Sequence, residues 1–176
     1  MKIIGVLLGT LALVGCTGLP RGIEPAQPFD VNQYLGTWYE VARLDLRFER
    51  GLSQVTAEYS LKDDGDILVT NKGYKASSGE WSMAEGRARF ADDEDIGHLK
   101  VSFFGPFYAS YVVFDLDEES YQYAFVTGYN KKYLWLLSRT PEVSEELKTR
   151  FLQQADTAGF DTSELIWVPQ QAGQDL

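Results

Sequence analysis

The feature that most constrains the fold is a series of short segments, from Trp38 to Ser138, in which apolar and polar residues alternate. Alternation with a period of two indicates strands that bury one face of an antiparallel sheet and expose the other. Turn-forming stretches, such as the DDGD sequence at residues 63–66, separate the segments. The pattern predicts eight consecutive strands, at residues 37–46, 54–62, 67–74, 80–90, 98–104, 107–116, 121–128 and 132–138.

The order of these strands predicts an up-and-down meander that closes into a barrel. Closure removes both sheet edges, and eight strands enclose an interior wide enough for side chains or one small ligand. An open sheet would need several covering helices, yet only one good helical segment follows, at residues 145–158, with Ser144 as N-cap and Gly159 as C′ residue. The predicted fold class is all-β: an eight-stranded antiparallel up-and-down β-barrel with one C-terminal α-helix and a short final strand at 165–168.

The N-terminal residues predict a secretory signal followed by a lipid anchor. Lys2 precedes an apolar run at Ile3–Val14, which is too short to cross a bilayer core of about 30 Å as a helix. The segment Leu13–Cys16, with the sequence LVGC, resembles the bacterial lipobox, which implies that Cys16 is acylated and becomes the first residue of the mature chain. An uncleaved anchor, or a signal with an incidental cysteine, is the alternative.

The lipobox resemblance implies a Gram-negative lipoprotein of the cell outer membrane, lipid-anchored and facing the periplasm. Thr17 stands where proteins that stay on the inner membrane usually carry Asp. The predicted organisation is a signal peptide at 1–15, a lipidated N-terminus and proline-bearing spacer at 16–28, the barrel with its helix at 29–169 and a tail at 170–176.

The charge balance excludes several classes of partner. The chain carries 16 basic and 26 acidic residues, a formal net charge of −10. It has no Lys/Arg stripe for nucleic acid and no polybasic run for an anionic membrane. We therefore predict no nucleic-acid partner and a membrane attachment through acylated Cys16. This single cysteine also excludes a disulfide within the chain.

The sequence predicts neither an enzyme nor a metal site. His98 is the only histidine, and it lies at a strand start with outward parity, which argues against a Ser-His-Asp system. One histidine and one acylated cysteine do not supply the common zinc ligand sets, and no glycine-rich phosphate loop joins a strand to a helix. We predict no catalytic residue, no metal and no cofactor.

Three motifs in order carry a resemblance to a known family. Tyr34–Glu40, with the sequence YLGTWYE, contains a Gly-x-Trp signature at the start of the first strand. Leu116–Glu118 keeps only the aspartate of a second signature, and Leu136–Pro141 places an arginine at the end of the last barrel strand. Together with the block Val41–Gly51, these segments resemble the lipocalins, closest to the bacterial outer-membrane members and to the apolipoprotein D group, over residues 29–169.

The lipocalin resemblance implies structural roles for three residues. In the family the tryptophan plugs the closed end of the barrel and the arginine lies across its ring as a cation–π pair. These roles fall here on Trp38 and Arg139, and Gly36 lets the backbone pass close by. We predict that none of the three contacts a ligand.

Strand alternation and the resemblance together predict the residues that face a ligand. Alternation alone assigns the inward residues of the second and fifth strands, and analogy with the family assigns those of the other strands. Alanines among large aromatic residues indicate an interior that its own side chains do not fill. The predicted ligand-binding residues are Val55, Ala57, Tyr59, Ala84, Ala88, Val101, Phe103, Tyr111, Val113, Tyr133, Trp135 and Leu137.

Two further expectations concern the surface of the barrel. The loop from Arg47 to Leu52 is predicted to overhang the open end, where Phe48 and Leu52 gate entry and Arg47 or Arg50 meets an anionic head group. Several late strands carry apolar residues on both their inward and outward faces. The helix is expected to cover part of the outward face, and a homodimer is a second way to cover the rest.

The leading functional hypothesis is an outer-membrane lipocalin that holds a fatty acid, phospholipid or lysophospholipid, for lipid storage or transport in membrane maintenance. A structural envelope barrel without cargo is the first alternative, and it requires an interior with no ligand-sized cavity. A lipocalin-fold enzyme is the second, and it requires a titratable pair buried inside the barrel.

Overall fold

A computed structural model describes residues 17–171. The predicted signal peptide, Cys16 and all but the first two residues of the predicted tail lie outside the described residues. The barrel strands are β1 (Gly36–Leu44), β2 (Leu52–Leu61), β3 (Ile67–Lys75), β4 (Glu80–Phe90), β5 (His98–Phe104), β6 (Phe107–Leu116), β7 (Tyr123–Thr127) and β8 (Leu134–Ser138). The other elements are α1 (Val31–Tyr34), α2 (Glu145–Ala158), a 3-10 turn (Thr162–Glu164) and β9 (Leu165–Trp167). Within residues 17–171, no helix is long and apolar enough to cross a membrane.

The strands form the predicted closed antiparallel barrel. Each of β2 to β8 pairs with the next strand along the chain, β8 pairs with β1, and β1 returns to β2. The β1–β2 pairing covers only Gly36–Tyr39 against Thr56–Tyr59. Where these strands separate, β9 pairs with Ala42–Leu44 and the Gln54 N–H donates to the Pro169 carbonyl. The C-terminal segment therefore fills the gap in the barrel wall.

The helix α2 covers the outer face of the late strands, as the two-sided apolar pattern predicts. It begins at Ser144, whose hydroxyl accepts the Leu147 N–H, and it ends at Gly159, whose φ of 79° is in the left-handed region. Phe151 and Ala155 are fully buried against Leu134, Leu136 and other outward-facing residues of β7 and β8. A second apolar cluster thus lies outside the barrel, separate from the one within it.

The two ends of the barrel are built differently. The closed end holds Trp38 and the β2–β3, β4–β5 and β6–β7 loops, while the other four interstrand loops surround the open end. β4 pairs with β5 only over Arg87–Phe90, next to the closed end, so toward the open end the β3–β4 hairpin diverges from β5. The barrel wall is consequently incomplete on one side of its mouth.

Part of the predicted spacer at 16–28 packs on the barrel. Ile23 is buried in the outer cluster, and the Ala26 N–H donates to the Val113 carbonyl at 2.8 Å. The Ala26 carbonyl accepts the Gly97 N–H at 2.8 Å, which ties the β4–β5 loop to the same segment. The chain is therefore attached to the barrel well before β1 begins.

Candidate ligand site in the barrel

A tryptophan and an arginine seal the closed end. Trp38 has no exposed surface, and its indole N–H donates to the Tyr34 carbonyl at 2.8 Å. The Arg139 guanidinium lies 3.8 Å from the centre of the Trp38 ring. It also donates to four backbone carbonyls, those of Gln33, Leu35, Thr37 and Tyr121. One cation thus joins residues 33–37 and Tyr121 to the end of β8.

A layer of tyrosines lies above the tryptophan. The Tyr34 and Tyr111 hydroxyls are 2.6 Å apart, and Tyr59 donates to the Tyr111 oxygen at 2.8 Å. Burial raises the pKa of all three phenols, so they stay neutral at physiological pH. The layer satisfies its polar groups internally and divides the closed end from the space above it.

Little space remains within the closed half. The apolar void beside the tyrosine layer is about 10 Å³, roughly room for one water molecule. Ala88, predicted to leave room for a ligand, lines this void together with Tyr59, Val101 and Tyr111. Aromatic side chains from the chain entry and from β4, such as Phe29 and Phe90, fill the space that an alanine leaves. A ligand therefore has no room at the level of Ala88.

The predicted ligand-binding residues fall into three groups by exposure. Val55, Tyr59, Ala88, Val113 and Leu137 are buried. Ala84 is exposed, because it lies in the part of β4 that diverges from β5. The remaining six, which are only partly buried, are Ala57, Val101, Phe103, Tyr111, Tyr133 and Trp135.

The partial exposure of these six residues indicates which part of the barrel interior solvent can reach. Ala57, Val101, Phe103, Tyr111 and Trp135 all pack against the inner cluster, so they face the inside of the barrel. Tyr133 stacks on Trp135 with ring centres 6.1 Å apart. A side chain that faces inward and still keeps exposed surface borders space that solvent reaches. We call this space, between the tyrosine layer and the open end, the upper lumen.

The sequence did not predict a charged cluster in the wall of the upper lumen. A β-bulge between Glu40 and Ala42 shifts the register against β8, so that both Glu40 and Arg43 lie opposite inward-facing residues. Arg43 donates to Glu40 at 2.7 Å and to the Glu49 carbonyl at 2.9 Å. Glu49 reaches in from the β1–β2 loop and accepts the Trp135 indole N–H at 3.2 Å. All three charged residues are buried.

Burial raises the pKa of both carboxyls in this cluster. Burial of the Glu40 carboxyl is the main reason that its pKa lies well above its usual value. Repulsion from Glu49 raises this pKa further, despite the nearby Arg43. Loss of solvent also raises the pKa of Glu49, against the opposing effects of Trp135 and Arg43. Both shifts have the same main cause, which is the burial of the carboxyls away from water.

The β1–β2 loop is arranged differently from the sequence expectation. Phe48 extends into solvent, and Arg50 pairs with Asp45 at 2.6 Å rather than facing the lumen. Leu52 lies against Gly73 in the neighbouring strand. The inward residue of the loop is Glu49. Its inward direction follows from the Arg43 contacts, and the bulge that permits them leaves no signal in the alternation pattern.

His98 makes contacts that the sequence analysis did not anticipate. It is buried on the outer face, where its Nδ1 lies 2.6 Å from Asp92 and its Nε2 lies 3.0 Å from the Ser110 hydroxyl. These are the residue types of a nucleophilic triad, so outward parity was an insufficient reason to set one aside. Ser110 is nevertheless buried in the β5–β6 ladder, where the backbone N–H groups that could hold an oxyanion are paired. The contacts connect the β4–β5 loop to the barrel.

No cluster of three or more metal-binding side chains occurs within the described range 17–171. The polar groups described in the upper lumen are two buried carboxyls, a buried guanidinium and the partly buried Trp135 indole. Such a set can pair with the polar end of an amphiphile, while the aromatic and aliphatic residues around it can hold an apolar chain.

Sequence comparison assigns the family. The profile of the lipocalin-like domain matches residues 29–170. The chain belongs to the lipocalin family. Outer membrane lipoprotein Blc of Vibrio cholerae is 56% identical over 171 residues, which is 97% of this chain and 100% of that protein. Blc of Escherichia coli is 48% identical over 172 residues, 97% of each chain.

More distant comparisons agree with this family assignment. Bovine apolipoprotein D is 34% identical over 160 residues, which is 82% of this lipocalin and 84% of that protein. The solved structure of insecticyanin from Manduca sexta superposes with a TM-score of 0.70 at 21% identity, covering 88% of each chain. At that identity the superposition shows the shared fold alone. The similarity to Blc over nearly the whole length places this lipocalin among the lipid-anchored lipoproteins of the outer membrane.

Proposed function

We propose that this lipocalin binds a fatty acid, a phospholipid or a lysophospholipid in its upper lumen and stores or transports it on the periplasmic side of the outer membrane. The observation that carries the proposal is that inward-facing residues with exposed surface, Ala57, Phe103 and Trp135, lie above a filled floor. Apolar walls favour acyl chains, since burying each CH₂ contributes about 0.8 kcal/mol. The family relationship supports binding rather than catalysis.

The charged cluster is the proposed contact for the polar end of the ligand. The Nε of Arg43 is buried without a hydrogen bond, and a Glu49 carboxylate oxygen lies 3.9 Å from it. A lipid carboxylate or phosphate oxygen that reached this donor would gain a charge-assisted hydrogen bond. The cluster lies beside Trp135, so a bound lipid also touches the indole ring.

The first experiment is native mass spectrometry with lipid extraction on the acylated chain purified from the bacterial envelope. One additional mass of a fatty acid or lysophospholipid for each barrel is expected, and the same spectrum gives the oligomeric state. A fluorescent fatty acid should then quench tryptophan emission. Trp135→Phe should remove most of that quenching, while the matched control Trp167→Phe, on β9 outside the lumen, should retain it.

A structural barrel without cargo is a second candidate, favoured by the void of about 10 Å³ in the closed half. It predicts that the purified chain carries no lipid and that no added lipid changes the tryptophan emission. If correctly folded protein carried no lipid, or if added lipid left its tryptophan emission unchanged, the carrier proposal would be contradicted.

The buried pair Glu40 and Glu49 meets the condition set for a lipocalin-fold enzyme. The same extraction separates this candidate from a carrier. A carrier returns the added lipid with its mass unchanged after long incubation, whereas an enzyme converts it, and Glu49→Gln would then slow the conversion.

A further inference from the structure

Large apolar side chains exposed on the surface gather at the open end of the barrel. Phe104 and Phe107, at the tip of the β5–β6 hairpin, are 83% and 80% exposed. Phe48 of the β1–β2 loop and two residues of the diverging part of β4, Trp81 and Met83, are also exposed. Side chains of this kind on several neighbouring loops mark an interaction surface rather than the scattered exposure of an ordinary protein surface.

Charge separates the two ends of the barrel. The three closed-end loops, at residues 62–66, 91–97 and 117–122, carry ten carboxylates and one lysine. The four open-end loops carry four cations, Arg47, Arg50, Lys131 and Lys132, and two carboxylates. Those two carboxylates are already engaged, because Asp45 pairs with Arg50 and Glu49 is buried in the lumen. A chain with a net charge of −10 thus presents an open end of the opposite sign.

Several of these cations are available to an external partner. Arg47 and Lys132 are exposed, as is Lys75 at the end of β3 opposite Glu80, and among residues 17–171 none of the three cations forms an ion pair with a carboxylate. Lys72 lies 4.4 Å from the centre of the Trp81 ring, so basic and aromatic groups alternate at this end. Aromatic rings beside lysine and arginine are typical of protein surfaces that meet the lipid headgroup region.

The chain from the lipid anchor meets the outer wall of the barrel beside the end of α2. Gly22 and Ile23 line a surface groove with Thr157 and Ala158, in the last turn of α2. That turn lies toward the open end, because a Cβ on Gly159 would be 3.4 Å from the Nζ of Lys131 in the β7–β8 loop. The few residues between Cys16 and this groove span at most about 20 Å when extended, at 3.3–3.6 Å per residue. A tether of that length keeps the barrel close to the membrane and leaves the open end free to face it.

We propose that the open end of this lipocalin docks on an anionic phospholipid surface, with the exposed phenylalanines entering the headgroup region and the open-end cations contacting lipid phosphates. Docking of this kind turns the mouth of the barrel toward the bilayer and the acidic closed end away from it. It requires no bound ligand, so it can be tested separately from the proposed cargo. A second copy of the chain is the competing occupant of the surface.

The experiment uses the full acylated chain reconstituted in vesicles. Phe104→Cys supplies the only free thiol, because Cys16 is the single natural cysteine and carries the lipid. That thiol is labelled with the environment-sensitive dye NBD. Leu61→Cys is the matched control, since Leu61 is an exposed apolar residue at the closed end. Vesicles of phosphatidylcholine are compared with vesicles of phosphatidylcholine and phosphatidylglycerol, each with and without nitroxide-labelled lipid.

Docking predicts that the dye at position 104 shifts its emission to the blue and is quenched by nitroxide in the anionic vesicles, while the dye at position 61 does neither. Lys132→Glu should lower the ratio of docked to undocked protein by roughly fivefold or more, with Lys62→Glu at the closed end as the control. Added salt should weaken docking in the same way, because it screens exposed charges.

Three results would overturn the proposal. The dye at position 104 could stay as exposed to water as the dye at position 61. It could be quenched equally in the two kinds of vesicle, which would remove the role of anionic lipid. Finally, energy transfer between differently labelled copies, without nitroxide quenching, would assign the surface to a second copy of the chain.

Discussion

The closed and open ends of this barrel are formed by the same strands but differ in packing and exposure. At the closed end, Trp38, Arg139 and the tyrosine layer leave a void of about 10 Å³, and both Trp38 and Arg139 donate to backbone carbonyls. At the open end, aromatic side chains lie in solvent, β4 leaves β5, and Arg43 keeps an unpaired donor. We therefore expect the filled closed end to contribute most of the stability of the barrel, and the unfilled open end to contact ligands and partners.

The largest expected effect belongs to the plug. Trp38→Ala should lower the free energy of unfolding by about 3–5 kcal/mol, because it removes a fully buried ring and leaves a cavity. Phe104→Ala, which removes an almost fully exposed ring at the other end, should change it by less than about 0.5 kcal/mol. Urea unfolding of the two variants measures the contrast. Similar losses would show that the closed end is not the stability centre.

Arg139→Met is expected to destabilise the barrel by about 2–3 kcal/mol. The change removes a charge-assisted donor and leaves four backbone carbonyls without it. Arg50→Met at the open end is the control, because that arginine forms an exposed pair that contributes little. Thermal unfolding followed by circular dichroism distinguishes the two. Equal melting temperatures for both variants would contradict the proposed role of Arg139.

Two alanines test whether the lumen is confined to the upper half. Ala88→Leu should cost about 1–3 kcal/mol of stability, because the closed half is already filled. Ala57→Leu should leave stability nearly unchanged and weaken binding of a fluorescent fatty acid, because its side chain borders accessible space. Unfolding and lipid titration are measured on both variants. The reverse pattern would place the ligand in the closed half.

The buried carboxyls of Glu40 and Glu49 predict that the free energy of unfolding depends on pH, and that a substitution of Glu49 alone weakens this dependence. Because burial raises the pKa of both carboxyls above the usual 4.5, their favourable contribution is present at low pH and is lost as pH rises through the raised values. Glu49→Gln should flatten that decline, with a change of about 1 kcal/mol in the free energy of unfolding. Glu80→Gln, an exposed open-end variant, should keep the wild-type slope. Parallel curves for all three proteins would contradict the assignment.

The smallest stability effect is expected from substitutions that change docking alone. Lys132→Glu and Phe104→Ser should alter the free energy of unfolding by less than about 0.5 kcal/mol, since both side chains lie in solvent. Their unfolding curves in urea should coincide with that of the wild type, while their membrane docking declines. A large loss of stability would show that the open-end loops help to hold the barrel together.

Much of the fold could be predicted from local pattern. The helix bounds 145–158 agree with the structure at both ends, because a Ser144 cap and a Gly159 stop are local signals. Strand positions agree within a few residues for the same reason. The ligand site was harder to predict. Parity assigned Ala84 and Ala88 to the inner face, but exposure and filling depend on where β4 leaves β5 and on distant aromatic residues.

The sequence by itself determined the strand order, the helix with its caps, the lipobox and the motifs of the lipocalin family. These properties are encoded by residues that lie near one another along the chain. Only the tertiary structure decided which inward residues border open space, that Glu40, Arg43 and Glu49 meet inside the barrel, and that cations from separate loops share one end of an acidic protein. Those outcomes depend on a bulge, on strand divergence and on loops far apart in sequence. The fold decides which charged and apolar side chains become neighbours, and residues distant in sequence cannot be placed together from local pattern.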